Sequence, residues 1–526
     1  MAFRAGSKMS SPFYEIGLDQ IAKGNQGEAQ KAFISSFDND EPDARKALIH
    51  YLHMLDRGRD LQAAMDLLQR AIEKQPKEHA WLSILADMCA GTGDIGKAIA
   101  YAEKSLSLKP HQETTALNLA IWKASQTTDG KQIKALFENW AEQFIAPIEH
   151  QHQNVSFKHL KPIKDRRIKI AYISGDLKNH SVRYFIEPHL IHHDTSKFEI
   201  HAIMTMEEDE ISEILKAKVE HWHNVKNMSD ADLLARIRQL EIDILVDLSG
   251  HTEGNRLKVF AMRAAPIQIT WFGYMNTLGI KSMDYRITDW GMCPPGTEAN
   301  YTEQLVRFQC MSSYLPPAHC EKQYPSPYHH NGHVTMVSLN NSRKLSDITL
   351  QTWCDILNEN TNAGLIIIST ERTQESAQQE LAARLEKYNA PMDRVAISAR
   401  LNMMDFMQMA SIADFALDPF PITGGTTTYH TLWMGMPILT INYASDLGVS
   451  SSTPATMLGI GMQSCIANSI EEYKNKAKEW INNPQMIDEL RPMARPQFAK
   501  CALMAHEERT LELEEAYIQL VNANGL

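Results

Sequence analysis

Two short segments in the last third of the chain carry residue types suited to holding a phosphate. Gly424 and Gly425 run into Thr426, Thr427 and Thr428, and then into the helical pattern of Tyr429 to Met436. Two glycines let a backbone come close to a ligand. The three hydroxyls fall where a helix N-terminus presents free N–H groups and the positive end of its dipole. An ordinary threonine N-cap after a glycine turn has the same pattern. The second segment, Asn340-Asn341-Ser342-Arg343-Lys344, follows an apolar run. Lys344 there can reach a diphosphate, or stand solvated before an N-cap at Ser346. A cation and several N–H dipoles aimed at one point would stabilise charge on an anionic leaving group.

Two further segments offer histidine. Gly175-Asp176-Leu177-Lys178-Asn179-His180-Ser181-Val182 places an imidazole after a β-rich run, and Gly250-His251-Thr252-Glu253-Gly254-Asn255 does the same later. A histidine near its ordinary pKa can accept a proton, although His180 can equally cap the following helix or bond to Asp176. The histidine-rich spots His192-His193, His221 with His223, and His329-His330 with His333 lack ligand spacing combined with a carboxylate, so no metal is expected. Neither a Walker A sequence nor Gly-x-Gly-x-x-Gly after a strand occurs, which excludes the ordinary P-loop and dehydrogenase patterns.

The elements that must position these residues alternate β-rich and helical runs from Arg166 onward. The expected strands are 168–174, 198–204, 242–248, 267–272 and 285–288, then 334–339, 365–369, 395–398, 415–417 and 438–441 after the turn-rich break Pro316 to Gly332. Parallel α/β sheet follows from that alternation. The expectation is two doubly wound domains, residues 166–315 and 333–526. Ligands in such sheets bind beyond the carboxyl ends of the strands, where all four segments fall.

The first third repeats instead. Pro42, Pro76 and Pro110 stand 34 residues apart; Ala64 and Ala98, and Ile34, Leu68 and Ala102, keep that register. Tyr14, Leu48 and Leu82 open the units, and Gly24, Gly58 and Gly93 lie near their turns, while Gln30 with Ala29 beside it breaks the small-residue rule in the first. A 34-residue helix-turn-helix unit closed by proline looks like the tetratricopeptide repeat. Three are expected, over 11–44, 45–78 and 79–112, after a tail at 1–10, with a concave face able to hold a peptide or protein. Residues 113–165 read as a helical linker.

Composition narrows the partners. The 526 residues include 52 basic and 64 acidic side chains, a formal charge of -12 without long single-sign blocks, so nucleic acid and anionic membrane surfaces are poor partners. Seven cysteines without a Cys-x-x-Cys pair imply neither a disulfide framework nor structural zinc. The N-terminus lacks a signal-peptide core, and no run of about 18 apolar residues is present. A cytoplasmic protein is expected, with a protein or small-molecule partner and no transmembrane segment.

In this order, the repeats, Asp176 to Val182, Gly250 to Asn255, Pro266-Ile267-Gln268, Trp271-Phe272-Gly273-Tyr274, Asn340 to Lys344 and Gly424 to Thr428 resemble the bacterial branch of the protein O-linked N-acetylglucosamine transferase and SPINDLY family. The resemblance implies an α plus α/β fold: a tetratricopeptide superhelix followed by a GT-B pair of Rossmann-like domains with a nucleotide sugar between them. It also implies inverting, metal-independent transfer to a protein side chain, without a cofactor. His180 and Lys344 match the family's active-site histidine and diphosphate-binding lysine; Thr426 and Thr427 match its phosphate-binding threonines. Asn340, Gly424, Gly425, Thr428 and His430 complete the implied donor site, and His251 and Thr252 the acceptor-side loop. The chain departs from the family where His430 replaces an acidic residue that contacts the donor ribose and Gly425 replaces a common histidine. Arg263-Ala264-Ala265-Pro266 replaces Arg-Pro-Ala-Pro, and no arginine stands between Asp446 and Ser451. The expected activity is N-acetylglucosamine transfer from UDP-N-acetylglucosamine to Ser or Thr of a protein held by the repeats. The alternatives are a catalytically weak repeat scaffold, another donor such as UDP-glucose or GDP-fucose, and a non-protein acceptor.

Overall fold

The computed structural model describes residues 11–54, 61–158, 160, 162–318, 320, 322–371 and 373–526; the expected tail and Gly58 lie outside them. The chain divides into two compact units, Met1–Pro110 with Glu371–Ala377, and His111–Thr370 with Gln378–Leu526.

The first unit holds helix pairs in the expected period: Pro12–Ala22 with Gln26–Asp38, Ala44–Met54 with Leu61–Lys74, and His79–Gly91 with Ile95–Leu108. Leu48, Leu82, Ala64, Ala98, Leu68 and Ala102 are all buried. In the first pair Ala29, not the register position Gln30, is buried, so the small contact residue has slipped by one. Gly24 and Gly93 supply the left-handed turns with φ of 76° and 80°.

The second unit contains two parallel sheets. The first consists of β1 (Ile168–Ser174), β2 (Phe198–Met204), β3 (His221–Asn224), β4 (Ile244–Asp247), β5 (Ile267–Thr270), β6 (Tyr285–Asp289) and β7 (Gln304–Phe308). The second consists of β8 (Val334–Ser338), β9 (Ala363–Ile368), β10 (Val395–Ser398), β11 (Phe415–Leu417), β12 (Ile438–Ile441) and β13 (Ile466–Ala467). Their orders are β3-β2-β1-β4-β5-β6-β7 and β10-β9-β8-β11-β12-β13, so the order of strand addition reverses once in each sheet, between β1 and β4 and between β8 and β11. That reversal opens a crevice beyond the strand ends. β3, β7 and β13 are strands that the sequence pattern does not reveal.

Two helical segments are placed otherwise than their sequence positions suggest. Helices Glu113–Ala124 and Gly130–Phe144 fall in the expected linker, yet Trp140, Ala141 and Ile145 share one core with Ala171, Ile173 and Leu245 of the first sheet. Ile133, Phe137, Trp140 and Ala141 are buried at helical spacing; Trp140 and Ala141 hold the segment on the sheet, while Ile133 and Phe137 pack with Ala120, Ala124 and Leu447. The last helix, His506–Ala523, returns to the first sheet's side: Glu514 Oε1 lies 2.9 Å from His193 Nδ1, and the Tyr517 and Tyr172 hydroxyls are 3.2 Å apart.

Candidate active site

The β8–β11 switch point brings both phosphate-type segments together, because these strands pair directly. After β8 the chain turns at Asn341, whose side chain accepts from Arg343 N at 2.9 Å, into the short turn Ser342–Lys344. Lys344 Nζ then donates to the Thr423 carbonyl at 2.8 Å. Burial lowers the Lys344 pKa from its ordinary value, opposed by the charge of Asp418. After β11, buried Asp418 accepts from Gly424 N at 2.8 Å on Oδ1 and from the Thr440 hydroxyl at 2.8 Å on Oδ2. Its pKa is pushed up to about 6 by burial, with the hydrogen bonds and Lys344 pulling the other way. Asp418 therefore ties the glycine turn to two strands and sets a carboxyl beside the lysine.

Gly424 is required by space. A Cβ there would lie 2.3 Å from Thr428 Oγ1, 3.0 Å from Asp418 Oδ1 and 3.3 Å from Asn340 Oδ1. Asn340 donates to Asp418 Oδ1 at 3.4 Å, and its own buried Oδ1 has no hydrogen-bond partner. Gly425, next to open space, is the N-cap of helix Thr426–Trp433, and no side chain caps that helix. The threonines thus occupy the first helical turn instead of the cap position. The Thr428 hydroxyl turns inward to that of Thr453, 2.8 Å away, and the Thr427 carbonyl accepts from the Thr431 hydroxyl at 2.7 Å.

This corner opens on a cavity of about 400 Å³ lined by Lys344, Gly424, Gly425 and Thr426. Phe272 to Asn276 line it from the first sheet's loops, and Ile121, Ala124 and Ser125 from the helical segment. Among its described lining residues Lys344 is the one charged group; none is Asp or Glu.

The other expected site residues lie outside that lining. His180 follows β1, half-exposed, with Nδ1 3.7 Å from Asp176 Oδ1 and accepting from Val182 N at 3.4 Å. Burial lowers its pKa, opposed by the charge of Asp176 and aided by Lys178 and Arg400, and burial raises that of Asp176. His251 is buried, stacked on Phe137 at 5.2 Å, with Nε2 3.0 Å from the Leu278 carbonyl; burial takes its pKa down to about 4. The Thr252 hydroxyl donates to the Ser249 carbonyl at 2.8 Å. His430 is buried with Nδ1 2.6 Å from the Tyr314 hydroxyl and its ring edge-on to Tyr184; burial takes its pKa to about 3. The sequence pattern misses Asp418 as a brace and the helix Glu113–Ala124 as a wall. The Asp-Pro-Phe-Pro run before the paired glycines was the available signal for Asp418; for the wall, only the apolar stripe was.

The family model "Glycosyl transferase family 41" matches residues 128–316 and 318–513. A probable UDP-N-acetylglucosamine–peptide N-acetylglucosaminyltransferase SPINDLY of Oryza sativa subsp. japonica is 33% identical over 427 residues, 79% of this chain and 45% of that protein. The corresponding Arabidopsis thaliana protein is 34% identical over 376 residues, 69% of this chain and 40% of that one. The chain thus spans less than half the length of these curated relatives. A solved mutant form of Thermobaculum terrenum O-GlcNAc transferase is 26% identical with a TM-score of 0.82, covering 100% of this chain and 99% of that one.

Proposed function

The chain belongs to glycosyl transferase family 41, and from that membership we propose that it moves N-acetylglucosamine from UDP-N-acetylglucosamine to a Ser or Thr hydroxyl of a protein, with inversion and without a metal ion. The observation that carries this reading is Lys344 Nζ held 2.8 Å from the Thr423 carbonyl, beside the Gly425-capped helix and in the wall of the cavity. In the proposed reaction the acceptor oxygen attacks the anomeric carbon on one face while UDP departs from the other. Negative charge then grows on the leaving diphosphate, where the Lys344 ammonium and the N–H groups of the first helical turn oppose it. Asn340, with an unpartnered Oδ1, and Gly424, which keeps the backbone low, complete the proposed donor corner with Gly425, Thr426, Thr427 and Thr428.

His180 is the proposed proton acceptor. Its lowered pKa keeps the ring neutral near pH 7, and its place in the turn beyond the carboxyl end of β1 supports a position at the crevice. His251 and Thr252 act in this reading by fixing the loop after β4. The buried His430 does not touch the cavity, which favours a role in packing over ribose contact. The proposed acceptor surface is the repeat array. The test is transfer from a panel of labelled nucleotide sugars to protein acceptors in the presence of EDTA, with the product anomer read by NMR. An exclusive preference for GDP-fucose or UDP-glucose would reassign the donor. Retention of configuration would exclude the single displacement.

A further inference from the structure

We propose a zinc-type divalent cation site on the outer edge of the first sheet, formed by Glu199, His201 and His221. Parallel pairing sets His201 opposite His221 and Ile203 opposite His223, and Glu199 shares the face of His201 two residues earlier on β2. One ligand atom from each of Glu199, His201 and His221 falls within 4.8 Å of the others, the only such group among the described residues. His201 Nε2 lies 3.0 Å from Glu199 Oε1, and His221 Nε2 lies 3.6 Å from the same oxygen. Tetrahedral zinc with bonds of about 2.0–2.2 Å separates its ligand atoms by about 3.3–3.6 Å. The two observed spacings to Glu199 Oε1 bracket that edge, and the His201 and His221 rings, stacked with centroids 4.4 Å apart, must swing apart for both nitrogens to face one ion.

The surrounding groups are those a bound cation needs. His201 is buried, and its far nitrogen Nδ1 meets His223 Nε2 at 3.0 Å, an orienting bond that leaves Nε2 for the metal. The second carboxylate oxygen of Glu199 is engaged by Arg167 Nη2 at 3.3 Å, which turns Oε1 toward the two rings. Glu220 Oε1, 3.4 Å from His221 Nε2, can provide a fourth ligand, with water as the other candidate, though Arg167 already holds Glu220 at 2.7 and 2.9 Å. Two imidazoles and a carboxylate suit zinc over magnesium or calcium. Taken alone, the sequence spacing of His221 and His223 suggests no ligand set; the missing members come from the neighbouring strand. The site lies in the first half of β2, away from the strand ends that face the donor cavity, so it joins the edge strand β3 to the sheet and takes no part in sugar transfer.

The experiment is calorimetric titration of the full chain with Zn²⁺ in chelator-free buffer, with Co²⁺ absorption reporting the coordination geometry. One equivalent per chain and tetrahedral Co²⁺ bands are expected for the parent and for His329→Ala, which removes an exposed histidine elsewhere. His221→Ala and Glu199→Gln should each weaken binding by about 10-fold or more and abolish the bands. Glu199→Gln keeps the side-chain size and decides the matter should His221→Ala not fold by circular dichroism. No saturable binding in the parent, or binding that Glu199→Gln leaves unchanged, overturns the proposal. UDP binding is measured separately, so failure here leaves the donor reading untouched.

Discussion

A charge-assisted hydrogen bond contributes about 1.5–3 kcal/mol, whereas a general base contributes about 10²–10⁴-fold in rate, and these scales separate the proposed roles of Lys344 and His180. A base 3.7 Å from a carboxylate, in a turn outside the cavity wall, should matter for proton transfer and little for nucleotide affinity. His180→Ala is expected to lower kcat about 100-fold or more with UDP affinity nearly unchanged. Because burial lowers the His180 pKa, activity should hold down to pH 6.5 and fall only below it, as the ring protonates. A variant that keeps most of its turnover would leave His180 a structural residue. Gly424 acts through space alone: Gly424→Ala drives a Cβ to 2.3 Å from Thr428 Oγ1 and should abolish measurable UDP binding while the repeat helices stay folded, readable by calorimetry and circular dichroism. Nucleotide affinity undiminished in that variant would place the phosphate elsewhere.

At the scale of elements, the strand-end loops follow directly from the alternating pattern, and β1, β2, β10, β11 and β12 keep their expected bounds. The strands that escape are those whose residues are not alternating apolar. His-Trp-His-Asn in β3 is an edge strand held by histidine and glutamate contacts, β7 is half-exposed, and β13 has two residues. The glycine-threonine turn was legible because its chemistry is local. Asp418 and the cavity wall from Ile121 to Ser125 were not, because each depends on a neighbour far away in sequence. His430 shows the same limit: its position beside the threonines suggests ribose contact, and its burial beside Tyr314 is a tertiary fact. With a folded pKa of about 3 against an ordinary 6.5, a neutral His430 contributes stability at neutral pH that is lost as the pH falls below 6.5. Near pH 4.5 the loss is about 2–3 kcal/mol. His430→Gln, whose amide can accept from Tyr314 without titrating, should show a smaller drop in Tm between pH 7 and 4.5 than the parent. An identical drop would mean that the ring already protonates in place.

For the whole molecule, the division into a repeat unit and a catalytic unit separates acceptor binding from donor chemistry in the proposed scheme. Removing residues 1–110 should impair modification of a protein acceptor more than hydrolysis of the donor. Equal loss of both, with the remaining fold intact by circular dichroism, would make the repeats a support for the catalytic unit. Among the described residues no helix is long and apolar enough to cross a membrane. The central claim, that the cavity between Lys344 and helix Thr426–Trp433 holds a nucleoside diphosphate by cation and backbone dipole, is tested most directly by calorimetric titration of UDP in EDTA. Binding should persist in the chelator, and Lys344→Ala should weaken UDP by roughly 10- to 100-fold while changing uridine affinity little. UDP binding that disappears on chelation, or that Lys344→Ala leaves unchanged, would contradict it.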